Sequence, residues 1–253
     1  MTGRSGSPRP RRSPSGSADL SADRASALAM FELSPPTVAR LDRFVDLLLG
    51  WQGHTNLIAP STIPSLWTRH VADSLQVVDL MTVGTEHPRG PVVVDVGSGG
   101  GFPGVVVACA LADVPGTEVH LVESTGKKAA FLREAVQETG APGAVHAQRL
   151  EELMPELVKK PVDYVTARAV APLPVLLELI APLVKAGATA VLLKGRDLDQ
   201  ELTESTRRWH IEGDTVPSRT DAAARILVVR RLTRRSVNAR SSGGGNAGKR
   251  TRA

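Results

Sequence analysis

Val92–Val96 (VVVDV) is a β-branched run that passes directly into Gly97-Ser98-Gly99-Gly100-Gly101-Phe102-Pro103-Gly104. A short, nearly continuous apolar run of this kind reads as a strand buried on both faces, which requires helices on either side of a sheet. Glycines permit positive φ and let a bound group come close to the backbone. A helical pattern follows over 103–112. Strand, glycine turn and helix together place the loop at the carboxyl edge of a parallel sheet, where open α/β sheets bind ligands.

The alternation continues downstream. Strand patterns at 118–122, 143–147, 163–169 and 188–194 are separated by helical patterns at 125–139, 151–158, 174–184 and 197–208. Such alternation implies right-handed crossovers and parallel pairing. Two last strands, 209–216 and 224–232, are joined by a link too short for a helical crossover, so they pair antiparallel. The expected fold is α/β and Rossmann-like: a mostly parallel seven-stranded sheet ending in an antiparallel hairpin. Upstream, Ser34 is an N-cap followed by Pro35 and Pro36, and Val38, Leu41, Val45, Leu48 and Leu49 recur at helical spacing. A second helix is expected from Pro64 to about Leu80. With Phe31, Phe44, Trp51 and Trp67 these helices make an N-terminal cap. The expected organisation is a basic tail over 1–30, the cap over 31–90, the sheet domain over 91–232 and a second basic tail over 233–253.

Charge is segregated along the chain. Ten of the 31 basic residues lie in 1–18 and 233–253, which hold no acid, so residues 19–232 carry 21 basic and 26 acidic side chains. The Ser-, Gly-, Pro- and Arg-rich ends cannot bury a core and are expected to be disordered, either as solubilising ends or as a handle for a polyanion. The single cysteine, Cys109, excludes an internal disulfide framework and a cysteine-based zinc cluster, and it reads as core. His54, His87, His120, His146 and His210 show no ligand spacing, so no metal is expected. No apolar run approaches a membrane span and no signal-peptide pattern follows the N-terminus, which makes a cytoplasmic protein the default.

The glycine loop supports two readings. From Gly99, the spacing Gly99-x-Gly101-x-x-Gly104 matches a dinucleotide fingerprint and points to an NAD-dependent oxidoreductase. From Asp95, acidic-x-Gly-x-Gly-x-Gly resembles the loop of class I methyltransferases, which bind S-adenosyl-L-methionine. An acid two residues before the first glycine suits a cationic amino group better than a pyrophosphate. Pro103 removes an N–H that phosphates would need. Glu123, ending the second strand, suits ribose hydroxyls in either reading.

DVGSGGGFPG, with NLIAP (56–60), RHVADS (69–74), LVESTGKKAAFL (121–132), QRLEEL (148–153), TARAVAPL (166–173) and LLKGR (192–196), resembles the RsmG/GidB family over about residues 35–232. The family more often has NLTAI where this chain has NLIAP. The resemblance implies methyl transfer from S-adenosyl-L-methionine to guanine N7 in the decoding region of 16S rRNA, free or within the small ribosomal subunit. It implies a cofactor set of Gly97, Phe102, Glu123, Leu150, Glu151 and Arg168, with Arg168 near the transfer site. Asn56, Arg69, His70 and Lys194 then face the substrate. Guanine N7 has a free lone pair and no proton, so the reaction needs alignment and no general base. A monomer is expected. A non-catalytic RNA-binding assembly factor remains the alternative outside the enzyme classes.

Overall fold

The computed structural model describes residues 19–81 and 89–235. Seven strands make one sheet: β1 (Val92–Val96), β2 (Glu118–Val122), β3 (Gly143–His146), β4 (Tyr164–Arg168), β5 (Thr189–Lys194), β6 (Trp209–Pro217) and β7 (Arg225–Arg234). Their order is β3-β2-β1-β4-β5-β7-β6, with β7 antiparallel to β5 and to β6 and every other pair parallel. The order reverses between β1 and β4. The crevice outside their carboxyl ends is therefore the place where connections leave in opposite directions and expose backbone to a ligand.

Side-chain alternation along the strands divides the core between two faces. Val93, Val119, Leu121, Tyr164, Val191 and Leu193 pack with helices α4 (Gly104–Ala110) and α5 (Gly126–Thr139). Val94, Val96, Val165, Ala167, Ala190 and Leu192 pack with α6 (Leu150–Leu157), α7 (Leu173–Lys185) and α8 (Leu198–Ser205). Helix α2 (Pro35–Gln52) begins as expected, with Ser34 accepting from the Thr37 N–H. It buries Leu41, Phe44, Val45 and Leu48 in the first of these cores, so the N-terminal helices share a core with the sheet. Arg43 reinforces the join by donating to the Glu138 and Thr139 carbonyls at the end of α5. Cationic groups are favoured at that end of a helix.

Three expectations change. The N-terminal tail does not extend to residue 30, because Ser21–Leu28 is a helix, α1, that buries Ala27. Asp23 holds it in place. Its carboxylate accepts from the Trp67 N–H at 2.8 Å and from the Thr68 N–H and hydroxyl, satisfying the free donors at the start of another helical segment. At the other end β7 runs to Arg234, whose guanidinium binds Glu178 at 2.8 Å and stacks over Trp209. Arg234 thus belongs to the fold and not to the tail. The segment expected to be one helix from Pro64 is a 3-10 turn (Pro60–Ser65), a π-helical turn (Trp67–Ala72) and α3 (Asp73–Asp79) in succession. Residues 1–18 and 236–253, where most of the tail charge falls, and 82–88, which include His87, lie outside the described residues. Among the described residues no helix is long and apolar enough to cross a membrane.

Asp23→Ala should cost about 1–2 kcal/mol, the usual value of a lost carboxylate cap. Chemical denaturation measures it, and an unchanged midpoint would mean that α1 does not secure the π-helical turn.

Candidate active site

The glycine loop is shaped from both sides. Gly97, Gly99 and Gly101 take positive φ of 66°, 53° and 88°. Asp95 is wholly buried beneath the loop, accepting from the Thr166 hydroxyl at 2.7 Å and from the Gly104 N–H at 3.2 Å. A Cβ on Gly104 would lie 2.4 Å from that carboxylate, so α4 can start only on a glycine here. Burial pushes the Asp95 pKa up to about 6, against the hydrogen bonds from Thr166, Ser98 and Gly104. The expectation that Asp95 meets a cationic group of the cofactor is therefore corrected. It points into the sheet and braces the loop.

Glu123 closes the loop on the outer side. Its carboxylate accepts from the Gly99 N–H at 3.0 Å and the Thr125 N–H at 2.7 Å. A Cβ on Gly99 would meet nothing nearer than the Gly97 carbonyl at 3.6 Å, so this backbone faces open space. Leu150 is buried at the start of α6 and Glu151 beside it is exposed. Bare glycine backbone, a carboxylate ending β2 and an apolar side chain beyond β3 fit the nucleoside of S-adenosyl-L-methionine.

Arg168, at the end of β4, reaches the N-terminal helices. Its Nη1 donates to the Arg69 carbonyl at 3.0 Å and lies 3.4 Å from an Asp73 oxygen, its Nη2 contacts His70 Nδ1, and its guanidinium stacks 5.2 Å from the centre of the Phe102 ring. Guanidinium can only donate, so His70 Nδ1 accepts and Nε2 carries the proton. That N–H donates to the Thr62 hydroxyl at 2.8 Å, which donates to the Ala59 carbonyl at 2.7 Å. Burial, then the charges of Arg168 and Arg69, push His70 down to about 3, so the ring is neutral. Burial also lowers the Arg168 pKa, and Asp73 works against that. Asp73 therefore takes its ion-pair partner from the end of β4. Asp73 also accepts from the Thr220 hydroxyl at 2.9 Å on the β6–β7 turn.

Next to Arg168 opens a cleft of about 680 Å³ lined by Arg69, His70, Asp73, Lys194, Glu201 and residues of the β6–β7 turn. Four expected site residues, Arg69, His70, Arg168 and Lys194, thus meet at one cleft. Asn56 is exposed and outside its lining, and Phe102, also outside it, is buried against Phe44, His70 and the Arg168 guanidinium. By the sheet order, Gly97, Glu123 and Leu150 with Glu151 follow β1, β2 and β3, on one side of β4, while Lys194 and Arg225 of the cleft belong to β5 and β7 on the other. In the Arg168–Pro172 turn Ala169 has φ 54°, a left-handed conformation that costs a side-chain-bearing residue about 1–3 kcal/mol. Val170 folds back so that a Cβ on Gly97 would lie 2.7 Å from its methyl group. Glu201, Thr220 and Val170 were not expected as site residues, because their partners lie on other elements. Cys109 is buried in α4, where burial pushes its thiol up to about 12, so it supplies no nucleophile. Among the described residues no three His, Cys, Asp or Glu side chains are grouped to hold a metal.

The family model of rRNA small subunit methyltransferase G matches residues 37–227. The chain belongs to this family. A relative from Bradyrhizobium sp. (strain ORS 278), named ribosomal RNA small subunit methyltransferase G, is 53% identical over 218 residues, 86% of this chain and 95% of its own. One of the same name from Nitrobacter hamburgensis is 54% identical over 214 residues, 85% of this chain and 80% of its own. Among solved structures, a cofactor-bound protein from MTB has a TM-score of 0.52 at 16% identity, covering 87% of this chain and all of its own, which shows a shared fold. The resemblance to RsmG/GidB and the methyltransferase fold are borne out, and the dinucleotide reading of the same glycines gives way.

Two pKa shifts make opposite demands on stability. The His70 ring is neutral when folded but protonates near 6.5 when unfolded, so it costs stability as pH falls below 6.5. Asp95, held up to about 6, returns stability as pH falls from 6 towards its ordinary 3.8. Because these offset, the ring itself is the better readout. Its NMR signals should stay neutral from about pH 8 to 5, and a titration near the ordinary 6.5 would contradict the Arg168–His70–Thr62 chain.

Proposed function

We propose that this protein transfers a methyl group from S-adenosyl-L-methionine to N7 of a guanine in 16S rRNA, with the glycine loop holding the cofactor and the cleft beside Arg168 receiving the base. The observation that carries the reading is the junction at Arg168, where the loop side of the sheet and the cleft meet across one short turn. Gly97, Glu123, Leu150 and Glu151 hold the nucleoside and amino-acid ends of the cofactor. Phe102 braces Arg168 from below and Arg168 borders the point of transfer. Arg69 and Lys194 face the RNA from the cleft, His70 reaches it through Arg168, and Asn56, exposed beside the Leu57 that packs on Gly100, meets RNA from the glycine-loop side.

S-adenosyl-L-methionine supplies an electrophilic methyl carbon on a sulfonium. The residues of this chain have to align the base and exclude water, because N7 attacks with a lone pair and releases no proton. Alignment alone is worth about 7–11 kcal/mol. His70, whose Nδ1 is taken by Arg168, and the buried Cys109 thiol agree with a step that uses neither as a base. A base methylated at N7 would carry positive charge, and Asp73 in the cleft lining would favour that charge. The large exposed apolar side chains among the described residues, Val158, Val170 and Val175, are few, which supports a monomer. A cytoplasmic location follows from a ribosomal substrate.

Primer-extension mapping of 16S rRNA should find N7-methylguanine only when active protein is supplied. Cofactor-dependent binding without any methylated guanine would favour an RNA-binding assembly factor. The single-turnover rate should be flat between about pH 7 and 8.5, because no base is used. A sloping limb in that window that is removed by substituting His70 or Asp73 would overturn the alignment mechanism.

A further inference from the structure

The turn between the glycine loop and the cleft is clamped at both ends. Arg168 fixes its start, through the Arg69 carbonyl, His70 and Asp73. Its far end is fixed by Glu201, which projects from α8. One oxygen of Glu201, Oε2, accepts both the Leu173 N–H at 2.9 Å and the Lys194 ammonium. Lys194 itself reaches the Ala171 carbonyl at 3.5 Å. Both side chains are largely shielded, at 11% exposure for Lys194 and 22% for Glu201, so the ion pair is screened less than a surface one.

The clamp encloses the left-handed Ala169 and the Val170 side chain that rests on Gly97. A strained turn keeps its shape only while its surroundings over-determine it. Without Glu201, the Leu173 N–H at the start of α7 loses its acceptor and Lys194 loses the anion that orients it. The turn could then relax away from Gly97 while Lys194 swings within the cleft. One carboxylate therefore serves both halves of the site.

We propose that Glu201 is a positioning residue for the methyl-transfer reaction, setting the Lys194 ammonium in the cleft and the 169–173 turn over Gly97. The inference rests on the function proposed above and adds a residue that touches neither cofactor nor base. Because the two bonds converge on a single oxygen, the roles can be separated. Glu201→Gln still offers an oxygen to Leu173 and lacks only the charge. Glu201→Ala removes both contacts.

The test uses the full-length protein with 16S rRNA, measuring single-turnover methylation, S-adenosylhomocysteine affinity by calorimetry and thermal unfolding. Glu201→Gln should bind S-adenosylhomocysteine within about twofold of the unaltered protein while transferring methyl about tenfold more slowly. Glu201→Ala should lose about tenfold in both. On a Lys194→Met background, Glu201→Gln should slow transfer no further, since its effect passes through that lysine. Wild-type rate and affinity in Glu201→Ala would overturn the proposal. So would an equal loss of rate and affinity in the Gln and Ala variants that followed their unfolding temperatures, since that is a structural role only. If the unaltered protein methylates no guanine, the function assignment fails and Glu201 is not the cause.

Discussion

Arg168 is the interaction on which the arrangement depends. It is the last residue of β4, at the point where the sheet order reverses, and its guanidinium leaves the sheet to bind the N-terminal helices. A largely buried cation needs fixed partners, because removing any one leaves an uncompensated charge. Here the partners are a backbone carbonyl, a neutral imidazole, a carboxylate and an aromatic face, drawn from the π-helical turn, α3 and the glycine loop. Asp73 extends the network to the β6–β7 turn through Thr220, while Gln76 accepts from the Arg219 N–H at 2.6 Å. Three distant parts of the chain are thereby held around one arginine.

The same logic organises the carboxylates. Asp95 points inward and fixes the glycine loop to β4 and α4, whereas Glu123 ties the outer side of the loop, through the Gly99 N–H, to the start of α5, through the Thr125 N–H. Glu201 performs the equivalent service for the turn that separates loop and cleft. Hydrogen bonds to ionised groups are about twice as strong as neutral ones, which suits them to holding strained backbone. The glycine loop and the turn beside it are thus braced by acids.

Much of this was legible in the sequence, for identifiable reasons. Strands buried on both faces leave β-branched runs such as Val92–Val96, and the short link after Val216 could only close a hairpin. Family motifs located Arg168, His70 and Glu123. The inward direction of Asp95 was available from strand alternation, because Val93 and Asp95 share a face and Val93 packs beneath α4, but the motif drew attention to the ligand side. Helix α1 was hidden by the basic tail before it, although SADRASAL has ordinary helix-forming content. The π-helical turn left no local signature. Asp23 binds its start from 44 residues upstream, and this was beyond any periodicity argument. Glu201 was invisible for the same reason, since its value lies in reaching Lys194 and Leu173 from another element.

Arg168 and Asp73 act as one joint between the N-terminal helices and the methyltransferase sheet. A double-mutant cycle with Arg168→Met and Asp73→Asn, read as single-turnover methylation of 16S rRNA, measures that joint directly. The account predicts strong coupling: the double variant should be about as slow as the slower single variant, with a coupling energy above about 1 kcal/mol. Losses that add to within about 0.5 kcal/mol would show that the two residues act independently, and would contradict the account.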